Sequence, residues 1–298
     1  QLDEGDDWQN EAAWVKANPL VARNEWGMRA LRAAYQEARD DPHKRRNFLI
    51  KNLNMWLDQR EEGYMPMDRW NSCAASDGNP MPDLSGRECY IGVDLSAKID
   101  LTSVAVIFPL DDGRVAVLSH SFMPEETIDQ RRREDRVHYD LWAEQGWITP
   151  IPGAVVDHTA VADWIDQQVA ENGWQVREVV IDPYMANQFG IELQRRGYVV
   201  VEVAQTIRFL SVPTKDILER TLNGRLIHDG SPVMAWAMGN AMVRSDAQGN
   251  IMLDKRKSRE RIDPAAALMT GHARAMHAEA EIDANEFVTD EWLDKLGW

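Results

Sequence analysis

The sequence predicts an α/β fold, in which helices flank a mixed five-stranded β-sheet and a helical extension precedes the sheet. Apolar runs of strand-like composition follow one another between residues 90 and 122 and recur at 178–183 and 198–204. Residues 1–85 carry their apolar residues at helical spacing instead. Hairpin-linked strands followed by strand, helix and strand predict one layered domain with helices packed on a mixed sheet.

The N-terminal extension has a helical pattern. Residues 22–41 place Trp26, Leu31 and Tyr35 at roughly helical spacing. The Asp-Pro pair at 41–42 ends this helix and starts the next, because Asp caps a helix N-terminus and Pro is tolerated in its first turn. That second helix has apolar residues on one side: Phe48, Leu49, Leu53 and Trp56. A turn-rich stretch leads to residue 86.

The sheet domain is predicted to alternate strands and helices. In order, the predicted elements are strands at 90–95, 103–108 and 114–122, a helix at 125–146, a strand at 178–183, a helix at 184–196, a strand at 198–204, helices at 213–223 and 231–240, a hairpin over 241–253 and a last helix from Asp263. The run 178–183 is apolar on both faces, which is typical of a central, buried strand. We therefore predict a helical extension at 1–85, a sheet domain at 86–278 and an acidic tail at 279–298.

Composition limits the partners and the compartment. The net charge of −16 in 298 residues argues against a globally basic nucleic-acid binder, although a local basic face is sufficient. Residues 206–261 contain ten Lys/Arg against six Asp/Glu, whereas 279–298 contain seven acids and one Lys. Two cysteines form no disulfide framework and indicate a reducing compartment, and no apolar run is long enough to cross a membrane. Because the chain lacks an initial Met and signal-peptide features, we expect a fragment of a longer chain.

Three carboxylates occupy special positions in this pattern. Asp94 ends the first strand, Asp182 ends the central strand, and Asp263 begins the last helix. Strand ends at one edge of a sheet converge on a crevice where ligands bind. Converging carboxylates repel one another unless a cation lies between them, and oxygen ligands suit Mg²⁺ or Mn²⁺. The pattern therefore predicts a divalent-metal site, and two such ions about 3.5–4 Å apart can hydrolyse a phosphodiester.

Simpler explanations exist for several polar residues. Each of the three acids is also explained as a turn-forming or helix-capping Asp. Asp100, between the first two strands, is most simply a solvated loop residue. His228 and Asn240 are either hydrogen-bonded structural residues or contacts of the site, and the sequence leaves both open.

A basic run, DKRKSRER at 254–261, precedes Asp263 directly. A charge run is usually a solvated face, but this one adjoins the predicted metal site, which favours contact with nucleic-acid phosphates. The predicted DNA-binding residues are Lys255, Arg256, Lys257 and Arg259, with Arg208 and Lys215 as weaker candidates.

Five segments together resemble a known family. They are WNSCA (70–74), CYIGVDLSAKIDLTSVAVIF (89–108), VVIDPY (179–184), LIHDGSPVMAWAMGNAMV (226–243) and GNIMLDKRKSRERIDPAAAL (249–268). In order and spacing they are similar to the large terminase subunits of tailed phages and prophages, specifically the C-terminal nuclease domain, which has a ribonuclease H-like fold. The resemblance covers about residues 8–278 and implies Asp94, Asp182 and Asp263 as catalytic metal ligands.

The resemblance also implies a function. It implies an endonuclease that uses Mg²⁺ or Mn²⁺, two ions with DNA bound, to cut concatemeric double-stranded DNA in the bacterial cytoplasm. The implied partners are the terminase small subunit, the portal and the ATPase motor domain. The sequence contains no G-x-x-x-x-G-K-[ST] phosphate loop, so we expect no ATP hydrolysis by this chain. Two alternatives stay open: a docking module of the packaging complex with weak or silent nuclease activity, and another enzyme of the same fold, such as a transposase or Holliday-junction resolvase.

Overall fold

The chain divides into two compact units, Gln1–Glu61 and Glu62–Trp298. The computed structural model describes residues 6–40, 48–53, 63–95, 101–258 and 260–286. The units divide between residues 61 and 62, not between 85 and 86 as predicted. The reason is that the segment directly before residue 86 packs into the second unit. Trp70 is fully buried there, and its ring stacks on His228 at 4.3 Å between centroids. The backbone N–H of Ala75 also donates to the carbonyl of His228 at 2.8 Å.

The first unit is helical, as predicted. It contains α1 (Glu11–Ala17), a 3₁₀ turn (Val21–Arg23), α2 (Glu25–Asp40) and a π-helical turn (Phe48–Asn52). Its apolar side chains form one cluster, in which the rings of Trp14, Tyr35 and Phe48 make edge-to-face or tilted contacts. Trp26 is exposed instead. The predicted helix start at 41–42 and Trp56 lie outside the described residues.

The second unit contains the sheet. Its elements are α3 (Met67–Ser72), β1 (Glu88–Asp94), β2 (Thr102–Pro109), β3 (Val115–Pro124), α4 (Glu125–Asp135), α5 (Tyr139–Glu144), β4 (Ile148–Ile151), α6 (His158–Asn172), β5 (Gln175–Ile181), α7 (Ala186–Arg195), β6 (Val200–Glu202), α8 (Ile207–Leu222), β7 (Leu226–His228), α9 (Pro232–Asn240), β8 (Val243–Ser245), β9 (Ile251–Leu253) and α10 (Asp263–Glu286). None of the helices that the structure describes has the length and hydrophobicity needed to cross a bilayer.

Seven strands of the described residues form one mixed sheet, in the order β4-β3-β2-β1-β5-β6, with β7 also paired to β3. β2 is antiparallel to both of its neighbours, β1 and β3, whereas β5 is parallel to β1 and β6 is parallel to β5. The prediction of five strands is therefore too low by β4 and β7. These strands have four and three residues, which is too short for a periodic pattern to appear in the sequence. The predicted hairpin is present as β8 and β9.

Both faces of the sheet are covered by helices. Alternate residues of β2 face opposite sides: Val104 and Val106 join one apolar cluster with α6 and α7, while Ala105 and Ile107 join a second cluster with α8, α9 and α10. This alternation follows from the two-residue period of a strand. The result is a three-layer arrangement in which β1 and β2 are buried on both faces.

Two predicted helices differ from the observed ones. The predicted helix 125–146 is broken into α4 and α5 at Arg136, whose φ of 56° is left-handed. The helix predicted to begin near Pro213 begins at Ile207, so that Pro213 lies inside α8. Proline removes one backbone hydrogen bond there, but α8 buries Leu210, Ile217 and other residues at helical spacing, which offsets that loss. Helix α6 was not predicted.

α10 lies directly on the backbone of β1 because two glycines face each other. A Cβ atom on Gly92 would be 2.1 Å from the carbonyl oxygen of Ala267 and 2.5 Å from the nitrogen of Gly271. A Cβ atom on Gly271 would be 2.5 Å from Cδ1 of Ile107 and 2.7 Å from the nitrogen of Gly92. Only glycine permits so close an approach of helix and strand backbones. This contact places the first residue of α10 near the C-terminal end of β1.

The outer edge of β3 is covered in three parts. Its first residues pair with β7 and its last residues pair with β4, both in parallel. Between them, the backbone N–H of Ser119 donates to the carboxylate of Asp229 at 2.6 Å. Burial raises the pKa of this carboxyl group, and backbone hydrogen bonds from Ser119 and Ser231 oppose the shift. A side chain thus completes the pairing that two short strands leave open.

Candidate active site

Asp94 and Asp182 lie side by side at one edge of the sheet. Asp94 is the last residue of β1, and Asp182 follows β5 directly. The two strands are parallel, and Gly92 is in register with Val180. The two acids are therefore equivalent positions, two residues beyond that pair. Both line the same cavity, which has a volume of about 310 Å³.

Asp263 reaches this edge from α10 and is joined to Asp94 through a lysine. Nζ of Lys255 lies 2.6 Å from Oδ2 of Asp94 and 2.8 Å from Oδ1 of Asp263. The two carboxylates are only 15% and 12% exposed, whereas the lysine side chain is 53% exposed. Lys255 follows β9 in the turn 255–257, so the β8–β9 hairpin brings its ammonium group to the acids. One cation is thus shared by two nearly buried carboxylates.

The electrostatics show that this cluster attracts cations. Burial raises the pKa of Asp94 to about 7; the Lys255 ammonium opposes that shift, and the neighbouring Asp263 adds to it. Burial alone would lower the pKa of Lys255, but the charges of Asp94 and Asp263 outweigh it and raise that pKa. The protein therefore favours a positive charge between the two carboxylates.

The donor set fits a hard divalent cation by chemistry. Carboxylate oxygens are the ligands that Mg²⁺ and Mn²⁺ prefer. Oδ1 of Asp182 accepts a hydrogen bond from the backbone N–H of Tyr184 at 3.1 Å, which orients this carboxylate. Within the described ranges, however, no three His, Cys, Asp or Glu side chains are close enough together to hold a metal ion as they stand. A cation held by all three acids requires Lys255 to leave its place between Asp94 and Asp263.

The predicted DNA-binding residues that the structure describes lie on two elements, the turn 255–257 and α8. Lys255 is engaged with the acids, and Arg256 lines the same cavity as Asp94. Lys257 belongs to the same turn, and Arg259 lies outside the described residues. Arg208 and Lys215 are on α8, and neither is among the residues that line the cavity.

The cavity wall includes polar residues that were not predicted as part of the site, among them Gln205, Arg244 and Asp254. Gln205 follows β6, the third parallel strand, and its Nε2 donates to Oγ1 of Thr270 on α10 at 3.0 Å. The strand-end rule that identified Asp94 would also have found Gln205. Arg244 lies within the predicted hairpin, but an arginine on a hairpin carries no sequence signal of its own.

The sequence left the roles of His228 and Asn240 open, and the structure describes the surroundings of both. Both ring nitrogens of His228 are engaged: Nε2 donates to the carbonyl of Trp70 at 2.9 Å, and Nδ1 accepts from the N–H of Gly230 at 3.1 Å. His228 is therefore structural. Nδ2 of Asn240 is buried without a hydrogen-bond partner in the described structure, and Asn240 is not among the cavity-lining residues. Asp100 lies outside the described residues.

Comparisons with known proteins identify the family. A family profile described as "Terminase large subunit, endonuclease domain" matches residues 1–279. "Protein YmfN" of Escherichia coli (strain K12) is 29% identical over 306 residues, which cover 99% of this chain and 66% of that protein. The large terminase subunit of Enterobacteria phage HK97 is 31% identical over 289 residues, covering 94% of this chain and 54% of that protein. The chain thus spans about half to two thirds of the length of these relatives.

Solved structures that resemble this fold point to the same family. The crystal structure of the HK97 bacteriophage large terminase matches with a TM-score of 0.65 at 28% identity, covering 92% of this chain and 56% of that one. The predicted α/β fold, a mixed sheet flanked by helices, is confirmed. The profile match extends over most of the chain, including all three candidate acids. The chain therefore belongs to the family of endonuclease domains of terminase large subunits.

Proposed function

We propose that this chain is a divalent-metal-dependent endonuclease that cuts concatemeric double-stranded DNA during packaging of a phage genome. The observation that supports this most directly is the convergence of Asp94 and Asp182 on one cavity, with Asp263 tied to Asp94 by Lys255. The proposed setting is the bacterial cytoplasm, and the proposed partners are the small subunit, the portal and the ATPase motor domain.

In the proposed reaction, each acid has a distinct position. Asp94 and Asp182 offer oxygens from the ends of two parallel strands, and Asp263 offers one from the start of α10. Two ions of Mg²⁺ or Mn²⁺, when bound, would supply an activated water and stabilise the departing 3′ oxygen. Lys255 holds Asp94 and Asp263 in place, and a bound metal would take the place of its ammonium group. No nucleophilic side chain is needed, because water attacks the phosphorus.

A plasmid-cleavage assay tests this function. We expect supercoiled DNA to be nicked and linearised with Mn²⁺ or Mg²⁺, with little sequence preference, and we expect EDTA to stop the reaction. ATP should not be needed, since the chain has no phosphate loop. Asp94→Asn in the same preparation controls for contaminating nucleases. Intact plasmid with both metals, in a folded chain that still binds Mn²⁺, would favour the docking-module alternative.

Lys255 and Lys257 form a matched pair for testing the basic run. Both lie in the turn 255–257, and of the two, in the part of the chain that the structure describes, Lys255 is the one that contacts Asp94 and Asp263. We expect Lys257→Gln to weaken DNA binding and to reduce the slope of log K against log salt by about one, the value for one released counterion. We expect Lys255→Gln to bind Mn²⁺ more tightly, because the competing ammonium is gone.

The measurements are DNA binding across a salt series in Ca²⁺ and calorimetric titration with Mn²⁺. Lys257→Gln should leave the Mn²⁺ titration unchanged. Equal Mn²⁺ affinity in the Lys255→Gln variant and the parent would show that this ammonium does not compete with metal. An unchanged salt slope for Lys257→Gln would remove Lys257 from the DNA interface and direct attention to Arg208 and Lys215.

A further inference from the structure

We propose that Arg244 binds a DNA phosphodiester at the cavity lined by Asp94 and Asp182 and acts there as a catalytic residue. This inference rests on the proposed function. Arg244 was not selected from the sequence, and its position is visible only in the fold. It lies in β8, opposite Met252 of β9, and β9 leads directly into Asp254 and Lys255. The hairpin therefore presents Arg244 and Lys255 to the same cavity.

Among the residues that the structure describes, no acid pairs with Arg244, in contrast to two other arginines of the second unit. Arg220 pairs with Asp216 at 2.6 Å, and Arg274 pairs with Glu178 at 2.6 Å. For Arg244, the hydrogen bond found among the described residues is from Nη2 to the thioether sulfur of Met252, at 3.1 Å. A thioether is a weak acceptor, and a guanidinium group has five N–H donors. Most of the hydrogen-bonding capacity of Arg244 is therefore left for a ligand.

The ligand that fits this arrangement is a phosphodiester. A planar guanidinium group can donate to two non-bridging phosphate oxygens at once, which a lysine ammonium cannot do in the same geometry. Arg256 also lines the cavity, and its backbone N–H donates to Oδ1 of Asp254. Lys255 is already committed to Asp94 and Asp263. Arg244 and Arg256 are thus the cavity cations left to receive an anion, and Arg244 is the one that β8 holds in a regular strand.

The role of Arg244 in hydrolysis is electrostatic. The oxygen of water forms a bond to phosphorus while the bond from phosphorus to the 3′ oxygen breaks, and the departing oxygen keeps the electron pair. The attacking water loses a proton to solvent, and the 3′ oxygen takes one up. Arg244 stays protonated throughout and stabilises the negative charge that grows on the non-bridging oxygens. Loss of one such preorganised donor typically slows catalysis by roughly 10²–10³-fold.

Three variants test the proposal. Arg244→Gln removes the charge, Arg244→Lys keeps the charge but loses the planar fork, and Arg195→Gln removes an exposed arginine that lines a different cleft. We expect the turnover rate of Arg244→Gln with Mn²⁺ to fall roughly 100-fold and that of Arg244→Lys to recover only in part. Arg195→Gln should match the parent. Calorimetric titration should show that Mn²⁺ binding is not weakened in either Arg244 variant.

DNA binding in Ca²⁺ across a salt series gives a second readout, which does not require cleavage. Arg244→Gln should reduce the salt slope by about one, while Arg195→Gln leaves it unchanged. Equal slopes for Arg244→Gln and the parent overturn the proposal, as does parental turnover by Arg244→Gln. A parent that does not cut DNA refutes the proposed nuclease function and the catalytic role of Arg244 with it, whereas the salt slope still decides the phosphate contact. A melting temperature for each variant confirms folding.

Discussion

Asp94→Asn and Asp182→Asn are expected to cut DNA at least roughly 1000-fold more slowly than the parent chain. Each substitution removes an anionic oxygen from the edge where β1 and β5 end. Metal ions supply several kcal/mol of transition-state stabilisation, and each 1.36 kcal/mol corresponds to about tenfold in rate. Initial rates of plasmid cleavage with Mn²⁺ measure the loss.

The control for this prediction is Asp254→Asn. Asp254 lines the same cavity, but its Oδ1 accepts the backbone N–H of Arg256 and so shapes the turn. Asp254→Asn removes one negative charge from the cavity, as Asp94→Asn and Asp182→Asn do, but its cleavage rate should stay near that of the parent. Mn²⁺ should also raise the melting temperature of the parent more than that of Asp94→Asn, because a ligand stabilises the state that binds it. Parental cleavage by Asp182→Asn would remove Asp182 from the site.

Gly271→Ala is expected to destabilise the second unit by about 3 kcal/mol or more, at the upper end of the range for overpacked cores. The added methyl group would lie 2.7 Å from the backbone nitrogen of Gly92 and 2.5 Å from Cδ1 of Ile107. Backbone atoms of β1 cannot give way as a flexible side chain can, so α10 must shift. For a unit of this size, 3 kcal/mol lowers the melting temperature by roughly 6–12 °C.

The same shift should impair catalysis, because α10 carries Asp263 at its first residue. A misplacement of about 1 Å can cost roughly 100-fold in rate. Gly239→Ala is the matched control: it also lies in a helix, but the nearest atom to an added Cβ is Sδ of Met67 at 3.7 Å. That variant should melt at or above the parental temperature, since alanine favours helix over glycine. A Gly271→Ala chain with parental stability would contradict the close packing of α10 on β1.

The long strands were predictable from the sequence because their pattern is local. β2 has eight residues and β3 has ten, enough for an apolar run bounded by turn residues to stand out. β4 and β7 depend on a partner, β3, that lies far away in the sequence. The start of α8 was misplaced for a related reason: Pro213 signals a helix start locally, but burial of the helix against the sheet outweighs that signal.

In the candidate site, too, some features follow from local sequence patterns and others depend on how distant segments pack. The placement of Asp94 and Asp182 follows from strand order and direction alone, so the strand-end rule was sufficient. The contact of Lys255 with two acids depends on how a turn after β9 directs one long side chain, which residue spacing does not specify. In the sequence, Lys255 looked like its neighbours in the basic run. The position of Arg244 depends likewise on the fold of the hairpin against the sheet.

The way in which β3 is covered has a consequence for self-association. An exposed strand edge presents unpaired N–H and C=O groups that invite pairing with another copy of the chain. Along β3, the edge is closed by β4, β7 and the carboxylate of Asp229. These pieces are short, so the loss of any one of them would leave part of the β3 edge open to pairing with another copy of the chain.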